Sequence, residues 1–271
     1  VSEIKEIKHP AVRAVLQDQE IDIGLEIHHD GDLPARSGLG SSSSFTVGLI
    51  NSLCALNGGM IEKKVLAQEA IRIEQEVIGE AVGSQDQIWA AFGGINRIDF
   101  SITGDFQVRP LIIASDRRKE LLDHLLLFFT GFSRFASEIA QRKIDNFNKR
   151  QEHIKTMTSL VDEAINVIQT ETNSILEIGD LLNQSWHLKR ELADTVTTPE
   201  IDEIYEASLA SGARGGKLLG AGGGGFFLLF VEPEKQSAVK ERLKNLVQVD
   251  FGIDEVGSKI VLYEPAGLEN R

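Results

Sequence analysis

The sequence predicts an α+β fold in two domains, and three observations carry this. Helical and strand patterns alternate irregularly, which fits separate layers and not a parallel doubly wound sheet. The 271 residues are enough for two ordinary domains. A charged patch, Asp116-Arg117-Arg118-Lys119-Glu120, precedes the last of three strand candidates and sets the expected boundary, with domains at residues 1–117 and 118–271.

Residues 1–17 read as a turn and a short helix, with Pro10 at its start. The alternating run Ile21–His28 reads as a half-buried strand within residues 21–29. A glycine/serine loop follows, then a helical pattern at Phe45, Leu49, Ile50, Leu53 and Leu56 that ends near Asn57-Gly58-Gly59. Ile61–Ile78 repeats apolar residues at helical spacing. Gly79 and Gly83 break it, and the polar cluster Gly83–Gln87 leads into the apolar Ile88–Phe92. Strands are expected at Asn96–Ile102, Phe106–Ile113 and His124–Thr130. Residues 136–171 form a long polar helical region with a break near Met157-Thr158-Ser159, and helices follow at 173–191 and 199–211. The glycine run Gly215–Gly225 leads into a buried strand, Phe226–Glu232; a helix over Pro233–Val247 and a strand at Lys259–Tyr263 close the chain.

The net charge of −13 argues against general nucleic-acid binding, so an anionic ligand needs a local site. Cys54 is the only cysteine, which allows no internal disulfide and fits a reducing compartment. The N-terminus shows no signal region, and the longest apolar runs are too short to span a bilayer, so the cytoplasm is the expected location. A homodimer is compatible with the sequence.

Three clusters carry candidate chemistry. The first is the loop around Gly38, Gly40 and Ser41–Ser44. Its glycines permit a tight turn, and a helix start there would offer free N–H groups to a phosphate. A serine-capped helix is the plainer alternative. The second is the acidic pair Glu74 and Asp86. A phosphoryl transferase needs hard oxygen ligands for Mg²⁺ and a carboxylate to orient or deprotonate the attacking hydroxyl. Ser42 and Glu74 suit the metal, and Asp86 suits the hydroxyl. Against this, a lone Glu on a helix is far more often a solvated charge, the plainer reading of Glu74 and Glu76, and Asp86 reads equally as the cap of a helix starting at Gln87. The third is Gly220–Gly225, where backbone could approach the acceptor or could simply avoid a clash at a crossing. The six histidines show no metal-ligand spacing.

Together these stretches resemble the galactokinase, homoserine kinase, mevalonate kinase and phosphomevalonate kinase superfamily. Pro34-Ala35-Arg36-Ser37-Gly38-Leu39-Gly40-Ser41-Ser42-Ser43 is similar to its phosphate loop, and Lys217–Phe226 to its C-terminal glycine motif. The segment from Glu74 to Gln87 is similar to the region carrying its metal-binding Glu and catalytic Asp. Within the superfamily, Leu33–Leu49, Val82–Gln87 and Thr130–Ser137 are most like the D-glycero-D-manno-heptose 7-phosphate kinases, and fucokinase domains look similar. The resemblance implies a domain like ribosomal protein S5 domain 2, then a ferredoxin-like domain. It implies ATP held at Pro34 and Gly38–Ser43, Mg²⁺ on Ser42 and Glu74, and Asp86 as base. The implied reaction phosphorylates the anomeric hydroxyl of a sugar. Arg36 and Arg134 are candidates to clamp an acceptor phosphate, each equally readable as a surface charge, and Gly222, Gly223 and Gly224 are candidates to line the acceptor.

The family's opening strand motif, of the type Pro-Leu-Arg-Ile-Ser-Phe-Phe-Gly-Gly-Gly-Thr-Asp, is not found. The expectation is a fragment, or a chain lacking its N-terminal part, catalytically poor as numbered. Galactokinase, mevalonate or homoserine kinase, and a non-catalytic sugar or nucleotide sensor, remain rival readings.

Overall fold

The computed structural model describes residues 1–33, 38–131 and 150–264. The chain divides into two compact units: Val1–Ala35, Gly40–Gly94 and Ile253–Arg271 form the first, Arg36–Leu39 and Ile95–Gly252 the second. The expected boundary at 117/118 falls inside the second unit. The charged patch is no linker there. It lies in a helix, Ser115–Asp123, whose buried Arg117 donates to the carbonyls of Val167 (2.7 Å) and Asn173 (2.8 Å) and so ties the segment to later chain.

The described part of the first unit is helical. Helix α1 (Pro10–Asp18) starts at Pro10, with His9 accepting from the Val12 amide. Helices α2 (Ser41–Leu56), α3 (Lys63–Arg72) and α4 (Gln85–Phe92) pack through Val47, Ile50, Leu53, Leu66, Ala67, Ala70, Ile88 and Ala91, all buried. The alanines let the helix backbones approach closely. The expected helix 61–78 is α3 continued by a π turn, Ile73–Val77, in which the Ile78 amide bonds back to Ile73. The late segment joins α4 through Gly94, whose amide donates to Asp254, and through Gly93 (φ +67°), where a Cβ would strike Val256 and Gly257.

Two expected strands of this unit are absent. Residues 21–29 are irregular, with Ile23, Leu25 and Ile27 exposed, and Lys259–Tyr263 is likewise irregular with exposed apolar side chains. Alternation marks a face, but a strand also needs a neighbour to complete its ladder, and no described segment pairs with either.

The second unit begins with a hairpin of β1 (Asn96–Phe100) and β2 (Phe106–Pro110). Its main sheet is antiparallel, in the order β4-β5-β3-β6. These strands are β3 (Leu125–Phe129), β4 (Ala213–Leu218), β5 (Phe226–Val231) and β6 (Val247–Val249). Strands β4 and β6 were not expected. Arg214, Gly215, Gly216 and Lys217 hide β4 inside a glycine run, and β6 is three residues long. One core joins Phe227, Leu229 and Val231 to Trp186, Ile201 and Tyr205; another joins Phe230 to Leu121, Leu160 and Ile178. Of the expected helical region 136–171, residues 136–149 lie outside the described residues; the helix Gln151–Gln169 runs unbroken through 157–159, with the hydroxyls of Thr156, Thr158 and Ser159 bonded back to carbonyls of the preceding turn. Helices at Glu177–Arg190 and Pro199–Ala210 match the expected spans; Pro233–Val247 is helical only to Arg242.

Candidate active site

Helix α2 starts at Gly40, which sits at φ +69° and has no side chain to cap the first turn. Ser41–Ser44 therefore lie inside the helix and are not its cap, and the first-turn amides stay available to a ligand at the positive dipole end. The four serines differ in role. Ser42 is exposed, and its carbonyl accepts from Thr46 (3.1 Å). Ser43 is buried, and its hydroxyl donates to Glu74 Oε2 (2.9 Å).

Glu74 is 1% exposed, so it is not a solvated helix charge; Glu76, two residues on, is. Ile73 and Glu74 lie three and four residues past Ala70, on the same buried face of the helix. A second donor, the side-chain amide of Gln87, also bonds Glu74 Oε2. Among the described residues, Glu74 Oε1 and Gln87 Oε1 are buried with no hydrogen-bond partner.

Asp86 lies in the first turn of α4, after the N-cap position Ser84, so it does not cap that helix. A Cβ on Gly40 would come within 2.9 Å of the Asp86 Cβ and Cγ. Gly40 is thus required twice, for its left-handed backbone and for the room it leaves Asp86. Surrounding protein pushes the Asp86 carboxyl above the usual carboxylate range, chiefly by desolvation and then by the charge of Glu74. The side chain still reaches solvent, as a base that meets a substrate must. Gln75 steadies the intervening loop by donating to the Val82 carbonyl (2.9 Å) and Ser84 (3.2 Å).

In the second unit the glycine run is used differently. Gly220 (φ +66°) lies against Gly38, and Gly222 (φ +124°) against Val196; a Cβ at either would fall within 2.9 Å of backbone. The Gly223 amide donates to the Val196 carbonyl (2.9 Å), and the Gly225 amide to Thr130 Oγ1 (3.2 Å). Two amides of the run are therefore taken up by neighbouring segments of the same unit, at Val196 and Thr130. Lys189, buried, donates to the carbonyls of Leu218 (2.8 Å) and Gly220 (2.7 Å) and anchors the turn's entry. Burial pushes the Lys217 ammonium below the usual lysine range.

The structure thus brings Gly40, Ser43, Glu74 and Asp86 together in one unit. Pro34, Arg36 and Arg134 lie outside the described residues. Gln87 and Lys189 were missed. Gln87 stood in the polar cluster before α4, but an amide carries no charge to mark it; Lys189 looked like any basic residue near a helix C-terminus. Among the described residues no group of three or more His, Cys, Asp or Glu is placed to hold a metal ion, so a cation here would depend on ligands beyond the acids.

The family model for the GHMP kinases N terminal domain matches residues 5–94, and that for the GHMP kinases C terminal matches residues 161–248. A D-glycero-alpha-D-manno-heptose 7-phosphate kinase of Campylobacter jejuni is 30% identical over 241 residues, 88% of this chain and 70% of that protein. The bifunctional fucokinase/GDP-fucose pyrophosphorylase of Arabidopsis thaliana is 29% identical over 251 residues, 89% of this chain and 23% of that protein. Among solved structures, a D-glycero-D-manno-heptose 1-phosphate kinase from Bacteroides thetaiotaomicron matches with a TM-score of 0.69 at 22% identity, covering 94% of this chain and 74% of that one.

Proposed function

The chain belongs to the GHMP kinases, and from that premise we propose that it uses ATP and Mg²⁺ to phosphorylate the anomeric hydroxyl of D-glycero-D-manno-heptose 7-phosphate. One observation carries the reading. Glu74 is a buried carboxylate bonded to a first-turn serine of an uncapped helix, and one of its oxygens has no donor.

A hard, anionic, unpartnered oxygen fits a divalent cation, and Ser42 offers an exposed hydroxyl in the same first turn. When bound, Mg²⁺ neutralises charge on the transferring phosphate. The protein's own part is positioning. The amides of Ser41–Ser43 receive phosphate oxygens. Asp86 orients the acceptor hydroxyl and takes its proton, a role its raised proton affinity suits. Arg36 and Arg134 clamp the acceptor's phosphate.

The heptose phosphate is preferred because the matching relative is 30% identical and named for it. A fucokinase reading follows from the second relative. The test is an acceptor screen with ATP and Mg²⁺ over heptose 7-phosphate, L-fucose, D-galactose, mevalonate and homoserine, with products identified by phosphorus NMR. Heptose 1,7-bisphosphate as the main product is expected. Turnover confined to fucose or mevalonate would overturn the acceptor, and no acceptor-dependent ATP turnover in the complete protein would favour a non-catalytic sensor.

A further inference from the structure

We infer that Gln87 is a positioning residue that holds the Glu74 carboxylate with one oxygen engaged and the other kept for a cation. The inference rests on the reading of Glu74 as a metal ligand.

Glu74 and Gln87 are both fully enclosed, at 1% and 0% exposure. Gln87 Nε2 and Ser43 Oγ donate to the same oxygen, Oε2. An ionised carboxylate has about four acceptor positions over its two oxygens, and here both donors fall on one oxygen. Both donors are neutral. A Lys or Arg in the place of Gln87 would pin the acid and cancel its charge together. An amide pins it and leaves the charge uncompensated. Such a group is costly in isolation, and buried acceptors without donors call for a physical explanation. Glu74 Oε1 and Gln87 Oε1 are two of them in one bonded pair, so the pair presents oxygen and no proton. That suits a hard cation and suits nothing that accepts hydrogen bonds. Gln87 also follows Asp86 directly in the first turn of α4. One helical turn therefore sets both the acceptor-side carboxylate and the orientation of the metal-side one.

The experiment measures Mn²⁺ binding to the full chain with ADP by the loss of the free Mn²⁺ paramagnetic resonance signal, so no turnover is needed. Gln87→Met keeps the bulk of the side chain and removes the amide. It is expected to weaken Mn²⁺ binding by about 10- to 100-fold, the usual effect of losing a partner that orients a ligand. ADP affinity in EDTA should stay unchanged. Ser43→Ala, which removes the other donor, is expected to shift Mn²⁺ affinity the same way. Glu74→Gln tests the underlying reading. If Glu74→Gln weakens Mn²⁺ binding but neither Gln87→Met nor Ser43→Ala does, the positioning role is wrong and the metal site stands. If Glu74→Gln has no effect, the metal site itself is wrong. Should Gln87→Met fail to fold, Ser43→Ala alone decides, and unchanged Mn²⁺ affinity in it overturns the inference.

Discussion

At Gly40 the backbone turns left-handed and enters a helix whose first turn no side chain caps, with Asp86 filling the space a Cβ would take. At Gly222 the backbone crosses Val196 within van der Waals reach, and the chain goes on into the buried strand β5. Both stretches read as glycine-rich turns beside a secondary element. In the first, glycine leaves amides free and seats an acid. In the second, glycine lets backbones cross, and the amides of Gly223 and Gly225 are bonded to Val196 and Thr130 on neighbouring segments. Glycine content alone does not distinguish a ligand cradle from a crossing; what occupies the missing Cβ does.

Three measurements sharpen or break this contrast. The largest effect is expected at the acid that Gly40 seats. Asp86→Asn should lower turnover by about two to four orders of magnitude, the usual range for a general base, with nucleotide affinity by calorimetry near wild type. Retained turnover in the complete protein would reduce Asp86 to a structural side chain.

Next comes a paired substitution. Gly40→Ala places a methyl against Asp86, and a displacement of about 1 Å there should cost roughly 100-fold in rate. Gly222→Ala should act on stability instead, by about 1–3 kcal/mol, or roughly 2–12 °C in Tm, with kcat little changed. The pair is read by calorimetry beside steady-state kinetics. A Gly222→Ala protein that melts normally but has lost turnover would place the glycine run in the reacting site.

The smallest effect concerns pH. Desolvation and then the charge of Glu74 raise the Asp86 pKa in the folded state. Between about 3.9, the unfolded value, and that raised value the native protein binds more protons than the unfolded chain, so stability falls as pH rises. Asp86→Asn removes the penalty. The variant should melt above wild type at pH 7 and level with it at pH 3.5. A lower Tm at pH 7 would show that the carboxylate stabilises the fold.

Much of the site was legible because charge, glycine and serine mark it. Asp86 and Glu74 stood out as acids flanking a double-glycine break. The sequence paired Ser42 with Glu74, whereas the hydroxyl bonded to Glu74 is that of Ser43. Ser42 and Ser43 are neighbours in a run of four, and their exposure depends on the phase at which α2 packs. Gln87 was passed over because an uncharged amide in a polar cluster looks like solvent-facing chain. In the fold, β3 and β5 were plain from their apolar runs. Strand β4 was hidden by Gly215 and Gly216: a Cβ on Gly215 would strike Gly179 of the helix Glu177–Arg190, and one on Gly216 would strike Leu228 and Leu229 of β5. The expected strands at 21–29 and 259–263 show the converse, a pattern without a partner.

The π turn at Ile73–Val77 has a consequence for what counts as an intact site. It holds one residue more than an α turn of similar span, and each residue advances a helix by about 100°. Losing a single residue between Gln75 and Ile78 would let the segment relax to an ordinary α-helix while leaving Ser43, Glu74, Asp86 and Gln87 in the sequence. Glu74 would keep its phase on α3 beside Ser43, but the chain after the turn, with Asp86 and Gln87, would be drawn out of register with it. A chain with every named side chain and one fewer spacer would pass an inventory of site residues and still leave Glu74 without its amide partner, because the meeting of Glu74 and Gln87 is set by the spacer between them and not by any residue's identity.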